Sequence, residues 1–286
     1  MRSCWVFLEK ETPMVAEVDS PPTLAELRKQ PHVSYSQIRS YLMCPMKFWH
    51  NYTAKTEPSH RPLALVLGSA IHEALAAYYS HLQGTGQKIT EAELLDVFRD
   101  RIDSELDRPI PIKLPDEDGG AMLDQGVAML RMFWAKADTP TVLAVEQAFS
   151  VPLYDPQTGD VFTAPLIGAM DLIVQGSERP MVVEHKTSSK RYATWQLELE
   201  TQPSVYKYAC QQIGMGDPDL MYQLLIKSKT PTLQHCRIQR TDAHIREMMD
   251  TFSAVIRAID AGIFFKNRSW ACADCQYAWL CDGEGT

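Results

Sequence analysis

No apolar run in this 286-residue chain reaches the ~18 residues of a bilayer-spanning helix, so the sequence offers no uninterrupted membrane span and no membrane partner is expected. Met1–Leu8 has one Arg and a short apolar stretch. Glu9, Lys10 and Glu11 follow it directly, which excludes a signal-peptide core there. The phosphate loop G-x(4)-G-K-[ST] is missing, so the chain is not itself an ATP-driven motor. It shows neither an internal repeat nor a low-complexity tract. Surplus positive charge is lacking too: 28 Lys and Arg stand against 36 Asp and Glu, a formal net charge of −8. That argues against a protein that coats nucleic acid non-specifically, but not against a confined basic cleft, where the local field decides.

At 45% hydrophobic and 22% charged residues the composition suits a soluble globular protein with one large core or two modest ones. Without a secretion signal, the seven cysteines are expected in a reducing cytoplasm, as metal ligands or free thiols rather than disulfides.

Residues 1–33 are punctuated by Pro13, Pro21, Pro22 and Pro31 and read as a loosely ordered tail. Ser34 with Gln37 forms a capping box that opens a helix. Its apolar face runs through Ile38, Tyr41, Leu42, Phe48 and Trp49, with a bend at Cys44-Pro45. Further helices are expected over Gly68–Gln83, Glu91–Leu106 and Ala121–Ala137, with a loop at Arg108–Gly120. Beyond Pro140 the pattern turns β-branched. Strands are expected at Thr141–Pro152, Val161–Val174, Met181–His185, Leu220–Lys227 and Thr232–Gln239, and helices at Trp195–Ile213 and His244–Ala261. Arg268–Thr286 is short and cysteine-rich. Helices first, then strands with a helix between them, indicate one α/β core over 34–286 with a helical N-terminal elaboration.

Asp171 near the end of one strand and Glu184 and Lys186 at the end of the next carry the chemistry. Alternate strand residues share a face, so Glu184 and Lys186 point together and His185 points away. Two carboxylates converging with an ammonium suit Mg²⁺ or Mn²⁺ at a phosphate ester. Such an ion polarises a phosphate oxygen and lowers the pKa of a bound water, while Lys186 orients that water or offsets charge in the transition state. Both acids are embedded in apolar runs, where they cost free energy unless paired or bound to a metal. His72 on a helix that begins with small residues, Glu146 within a strand, and Gln202 and Tyr206 on one helix face are the other candidates.

Gly68-Ser69-x-x-His72-Glu73, Gly168-x-x-Asp171, Glu184-x-Lys186 and Gln202-x-x-x-Tyr206, in this order, resemble the RecB-like branch of the PD-(D/E)xK nuclease superfamily. The resemblance implies a restriction-endonuclease-like α/β core, a central mixed sheet flanked by helices. It implies His72, Asp171, Glu184 and the main-chain carbonyl of His185 as metal ligands and Lys186 as the catalytic lysine. Gln202 and Tyr206 would help position DNA, and Glu146 has a less certain counterpart. The activity implied is Mg²⁺- or Mn²⁺-dependent hydrolysis of DNA, an exonuclease acting on single-stranded ends. The rival reading is a non-catalytic or partner-dependent DNA-binding subunit of a repair, recombination or CRISPR adaptation complex.

Cys272-x-x-Cys275-x(5)-Cys281 is a compact thiolate trio, and Cys44 is the best fourth ligand. Cys4, Cys210 and Cys236 show no ligand spacing. One cysteine far upstream of a terminal trio resembles the iron–sulfur subset of these nucleases, which includes CRISPR-associated exonucleases and AddB-type subunits and holds a [4Fe–4S] cluster. Zinc in a Cys₄ site is the alternative. Either would close the domain by joining its two ends. Lys190, Arg191, Lys207, Lys227 and Lys229 are expected at phosphates. Tyr35, Tyr41, Trp49, Tyr52, Tyr78, Tyr79 and Trp195 are core residues or base-stacking surfaces.

Overall fold

A computed structural model describes residues 22–114, 119–281 and 283. Most of the expected tail, residues 1–21 with Cys4, lies outside that set, and so do 115–118 of the expected loop. From residue 22 on the chain is more ordered than its prolines suggest. The Thr23 hydroxyl accepts from the Glu26 amide at 3.3 Å and the Glu26 carboxylate accepts from the Thr23 amide at 2.8 Å. This capping box starts helix α1 (Leu24–Leu27), and β1 (Val33–Ser34) follows it into the sheet.

The Ser34–Gln37 capping box opens α2 (Tyr35–Met43) as expected. Cys44 is extended, and Pro45 starts α3 (Pro45–Phe48), which relaxes into a π-helical turn over Trp49–Thr53. Short β2 (Arg61–Pro62) leads into the long α4 (Leu63–Thr85), which Gly86 ends in the left-handed conformation at φ 71°. Next come α5 (Glu91–Leu106), β3 (Ile112–Lys113), paired parallel with β2, and α6 (Gly119–Lys136).

The sheet strands are β4 (Val142–Val151), β5 (Leu166–Val174) and β6 (Met181–Ser188). The expected strand from Val161 begins only at Leu166. Residues 152–165 form a loop closed by a single bridge, Tyr154 to Val161. The helix expected over Trp195–Ile213 is two: α7 (Thr194–Leu199) and α8 (Gln202–Gln212). Pro203 fits only the first turn of a helix, so the chain restarts at Gln202 after an extended Glu200. β7 (Asp219–Ile226), β8 (Thr232–Ile238) and α9 (Asp242–Asp260) complete the core. A 3₁₀ turn at Trp270–Cys272 and α10 (Ala278–Cys281) follow.

Strand β5 organises the sheet. Along one edge β4 runs antiparallel to it from Leu166 to Val174. The other edge is shared. β1 pairs parallel at Leu166 and Ile167, and β6 pairs antiparallel only at Leu172–Val174. Among the described residues no strand covers the stretch between them, Gly168–Asp171. β6 continues with β7 over its whole length, parallel, and β8 closes that side. The result is a mixed sheet with helices on both faces, the architecture of a restriction-endonuclease-like core.

Each face buries its own core. One holds Tyr41, Phe48, Tyr208 and Phe252, from α2, α3, α8 and α9. The other holds Tyr78, Phe98 and Phe133, from α4, α5 and α6. By length and composition α4 is apolar enough to cross a bilayer. Half of it is buried, and Leu67, Ile71, Leu75 and Tyr78 pack inside the second core, which explains that apolarity.

The helices over the second core approach closely at Gly126. A Cβ there would lie 2.6 Å from the Phe98 ring and 2.8 Å from a Leu67 methyl. Gly126→Val is expected to destabilise the fold by about 1–3 kcal/mol through overpacking. Urea unfolding measures this, and an unchanged midpoint would contradict the seating of α6 on α4 and α5.

Candidate active site

The fork between β5 and β6 creates the site. The last paired residues are Leu172 and Val183, so Asp171 and Glu184 are the first beyond the split. A bare amide would be costly there, and Asp171 meets the need: its Oδ2 accepts from the His185 N–H at 2.8 Å. A strand residue points its N–H and C=O to the same side, so the His185 carbonyl also faces the fork. Its ring lies on the opposite face from Glu184 and Lys186, as the two-residue period requires. There it stacks on Tyr79, with centroids 5.5 Å apart and an interplanar angle of 6°.

On the α8 side Glu184 is buried within a hydrogen-bonded group. The Tyr206 hydroxyl donates to its Oε2 at 2.5 Å and lies 3.2 Å from the Ala169 carbonyl oxygen. The Gln202 amide donates to Glu184 Oε1 and to the Tyr206 oxygen, each at 2.8 Å. Lys186 Nζ donates to Glu184 Oε1 at 3.1 Å and to Gln202 Oε1 at 2.5 Å, and sits 5.0 Å above the Tyr222 ring. The i,i+4 spacing of Gln202 and Tyr206 is what lets both reach one carboxylate. From the other side His72 Nδ1 approaches Asp171 Oδ2 at 3.3 Å.

The electrostatics follow from packing acids in a poorly solvated fork. Burial, then the Asp171 charge, push the Glu184 carboxyl above its ordinary range, against the pull of Lys186 and Tyr206. Burial would raise Asp171 as well, but the hydrogen bond and charge of His72, with His185, hold it below the usual value. His72 is the counterpart: burial would lower it, and the bond and charge of Asp171 raise it. Burial lowers His185 to about 4, so its ring is neutral at pH 7.

Glu146 lies across the β4–β5 ladder from Asp171, between the pairs Val145–Leu172 and Gln147–Met170. Burial and the Asp171 charge raise it to about 7. Its backbone is left-handed at φ 49°, a strained conformation for a residue with a side chain. Glu146, Asp171, Glu184, Gln202 and Tyr206 line one cavity of about 170 Å³. The expected metal-site and catalytic residues are therefore neighbours, and Glu146 joins them, whereas none of the basic residues expected at phosphates lines this cavity.

Arg28 and Tyr35 also line this cavity, and Tyr222 supports Lys186. Tyr35 is among the aromatics expected in the core or at bases, whereas nothing in the sequence marks Arg28 or Tyr222 for these roles. Arg28 fell within the presumed tail, and the Tyr222 role depends on the β6–β7 register, where it pairs with Glu184. Lys207 is a correction. It is buried and paired with Asp217 at 2.6 Å, with Asp242 at 3.9 Å, and is closed off from a phosphate. Tyr41, Tyr78 and Tyr79 are core residues, whereas Trp195 is exposed.

The sequence profile of the PD-(D/E)XK nuclease superfamily matches residues 32–282. The chain belongs to that superfamily. A search of curated proteins finds no match. Among solved structures, a candidate exonuclease from Eubacterium rectale is similar at 14% identity and a TM-score of 0.53, over 86% of this chain and 88% of its own. The structure of SSO0001 has 10% identity and a TM-score of 0.38, over 88% of this nuclease and 94% of its own length. At this identity the first likeness bears on fold alone, and the second is too distant to carry an argument.

A second cavity of the nuclease, about 70 Å³, is lined by Cys44, Cys272, Cys275 and Cys281. All four are free thiols. Burial raises the Cys281 thiol against the opposing charge of Lys266, and Cys275 and Cys44 push the same way as burial. Lys47 and Lys266 stand in the same lining. Contacts that involve no thiol already join the two ends. Met46 N–H donates to Phe265 O at 3.1 Å, Asn267 Nδ2 to Met43 O at 2.9 Å, and the Tyr277 hydroxyl to Asn51 Oδ1 at 3.0 Å. Cys210 and Cys236 are buried elsewhere as ordinary small residues. Among the described residues no three His, Cys, Asp or Glu side chains stand tightly enough together to hold a metal ion as they are.

The Asp171–His72 pair has a consequence for pH. In the metal-free protein His72 is expected to hold its proton to a pH above the ordinary ~6.5. In Asp171→Asn the bond and charge of Asp171 are lost, burial is opposed only by the charges of Glu184 and Glu146, and the His72 value falls relative to the wild type. NMR titration of the imidazole checks this, and a His72 pKa indifferent to the substitution would break the pair.

Proposed function

We propose that this nuclease is a divalent-metal-dependent deoxyribonuclease that acts on single-stranded DNA ends as an exonuclease. The observation that carries the reading is the edge of β5 left uncovered among the described residues. Asp171, the buried Glu184 and the His185 carbonyl all face it, with Lys186 alongside. The donor set fits Mg²⁺ or Mn²⁺: hard carboxylate and carbonyl oxygens, with one imidazole that favours Mn²⁺. His72, Asp171, Glu184 and the main-chain oxygen of His185 would hold the ion. When bound, such an ion supplies Lewis acidity at a phosphate oxygen and a more acidic water.

The chain's own groups do the rest. Lys186 holds the attacking water beside Glu184 and offsets the charge that grows on the phosphate. Gln202 and Tyr206 fix the Glu184 carboxylate through both of its oxygens and position the DNA. Glu146 adds a third acid to the same cavity. β1 bounds the opening at one end and β6 at the other, which favours a threaded single strand over intact duplex.

Four thiols on one cavity suit a [4Fe–4S] cluster, with zinc as the alternative occupant. Its role would be to hold the ends of a single domain over 34–286 together. Free thiols throughout the described residues accord with a reducing cytoplasm.

Strands labelled at the 5′ or 3′ end test the activity. The wild type should shorten them from one end in Mn²⁺ or Mg²⁺, and Lys186→Ala should lower the rate by about 10²–10³-fold. Full activity in EDTA, or in Glu184→Ala, rejects the metal site. Anaerobic purification tests the cluster. A brown protein that carries iron and sulfide is expected, and stoichiometric zinc in a colourless sample rejects it.

A further inference from the structure

The active cavity has an unbalanced charge. Among the described residues of its lining, Glu146, Asp171 and Glu184 face a single cation, Arg28. Lys186 stands next to them, but its ammonium is already engaged by Glu184 at 3.1 Å and by Gln202 at 2.5 Å. His72 is likewise held by Asp171. The Arg28 guanidinium has no ion pair and no hydrogen bond among the described residues.

The backbone of Arg28 is nevertheless fixed. It caps α1, with its N–H donating to the carbonyls of Leu24 and Glu26. The capping box holds the other end of that helix, and the Val33 N–H reaches Pro165 O at 2.9 Å, just before β5. Arg28 thus stands at the end of a helix that packs against β4 and β5, in the lining of the cavity that holds the three acids. A polyanionic strand entering this cavity meets three carboxylates, and a planar guanidinium with unspent donors matches the oxygens of a phosphodiester.

We infer that Arg28 is a substrate-binding residue that grips a backbone phosphate of the DNA strand in the active cavity. The inference rests on the DNA-nuclease reading above. The contact is to phosphate, so it acts alike on all sequences and weakens with salt.

The test uses the full chain with Mg²⁺ in the Lys186→Ala background and a fluorescent oligo-dT probe, read by anisotropy across a salt titration. Adding Arg28→Gln is expected to weaken binding roughly tenfold, the loss of one charge-assisted contact. It should also reduce the slope of log K against log salt by about 0.7, one phosphate on a single strand. Lys29→Gln removes the same charge from the neighbouring residue, outside the lining, and should have little effect. With Lys186 intact, Arg28→Gln should raise KM more than it lowers kcat, and Arg28→Lys should restore part of the affinity.

Equal effects of Arg28→Gln and Lys29→Gln overturn the inference, as does an unchanged salt slope. Thermal melting guards against misfolding: if Arg28→Gln melts early, Arg28→Met, which keeps the apolar stem and removes the charge, takes its place and must show the same loss of affinity and of salt slope. A Lys186→Ala protein that binds no DNA rejects the nuclease reading itself, a result distinct from the failure of Arg28 alone.

Discussion

Everything at the site depends on a stretch of one strand's edge that no other described strand covers. β5 carries β4 along its whole length, but its other edge is divided between β1 and β6. Had β6 stayed paired past Val183, a ladder would have filled the space that Asp171 and Glu184 now face. Because it departs, the His185 amide needs another acceptor, and Asp171 supplies it at 2.8 Å. Strand alternation points Glu184 towards α8, where Gln202, Tyr206 and Lys186 compensate its burial. The shifted acidities follow from that geometry: with little water between them, the acids feel one another and their cations strongly.

The two helical layers serve this edge differently. α4, embedded in the second core, brings His72 up from below on a rigid support. α8 brings its pair from the other face, in a position fixed by the restart at Gln202 before Pro203. Arg240 reinforces that restart, donating to the carbonyls of Leu197 and Glu200 at 2.6 Å each. The N-terminal elements add the outer wall, and the C-terminal tail is fastened to them around the four thiols.

Much of this was legible in sequence because it is periodic or local. The capping box at Ser34, the strand alternation that separates His185 from Glu184, and the i,i+4 reach of Gln202 and Tyr206 are short-range rules. They need no knowledge of what lies opposite. The terminal cysteine trio with Cys44 was legible from spacing and composition, and these thiols do share a cavity. What depends on distant pairing was hidden. The β6–β7 register places Tyr222 under Lys186. The partners of Lys207 come from a loop and from α9, so a lysine that follows Tyr206 in the chain is buried away from the cavity. Arg28 belongs to a stretch whose prolines suggested little order, whereas Thr23 and Glu26 were a local signal that it has some.

The left-handed backbone of Glu146 has a meaning for how this protein would respond to selection. A side-chain-bearing residue held there costs on the order of 1–3 kcal/mol, a sizeable part of a typical domain's margin of stability. Glycine would adopt the same conformation without strain. A library screened for thermal tolerance alone would therefore drift towards glycine at this position, and one screened for activity in the fork would retain the acid. Position 146 is where robustness and chemistry pull this chain in opposite directions.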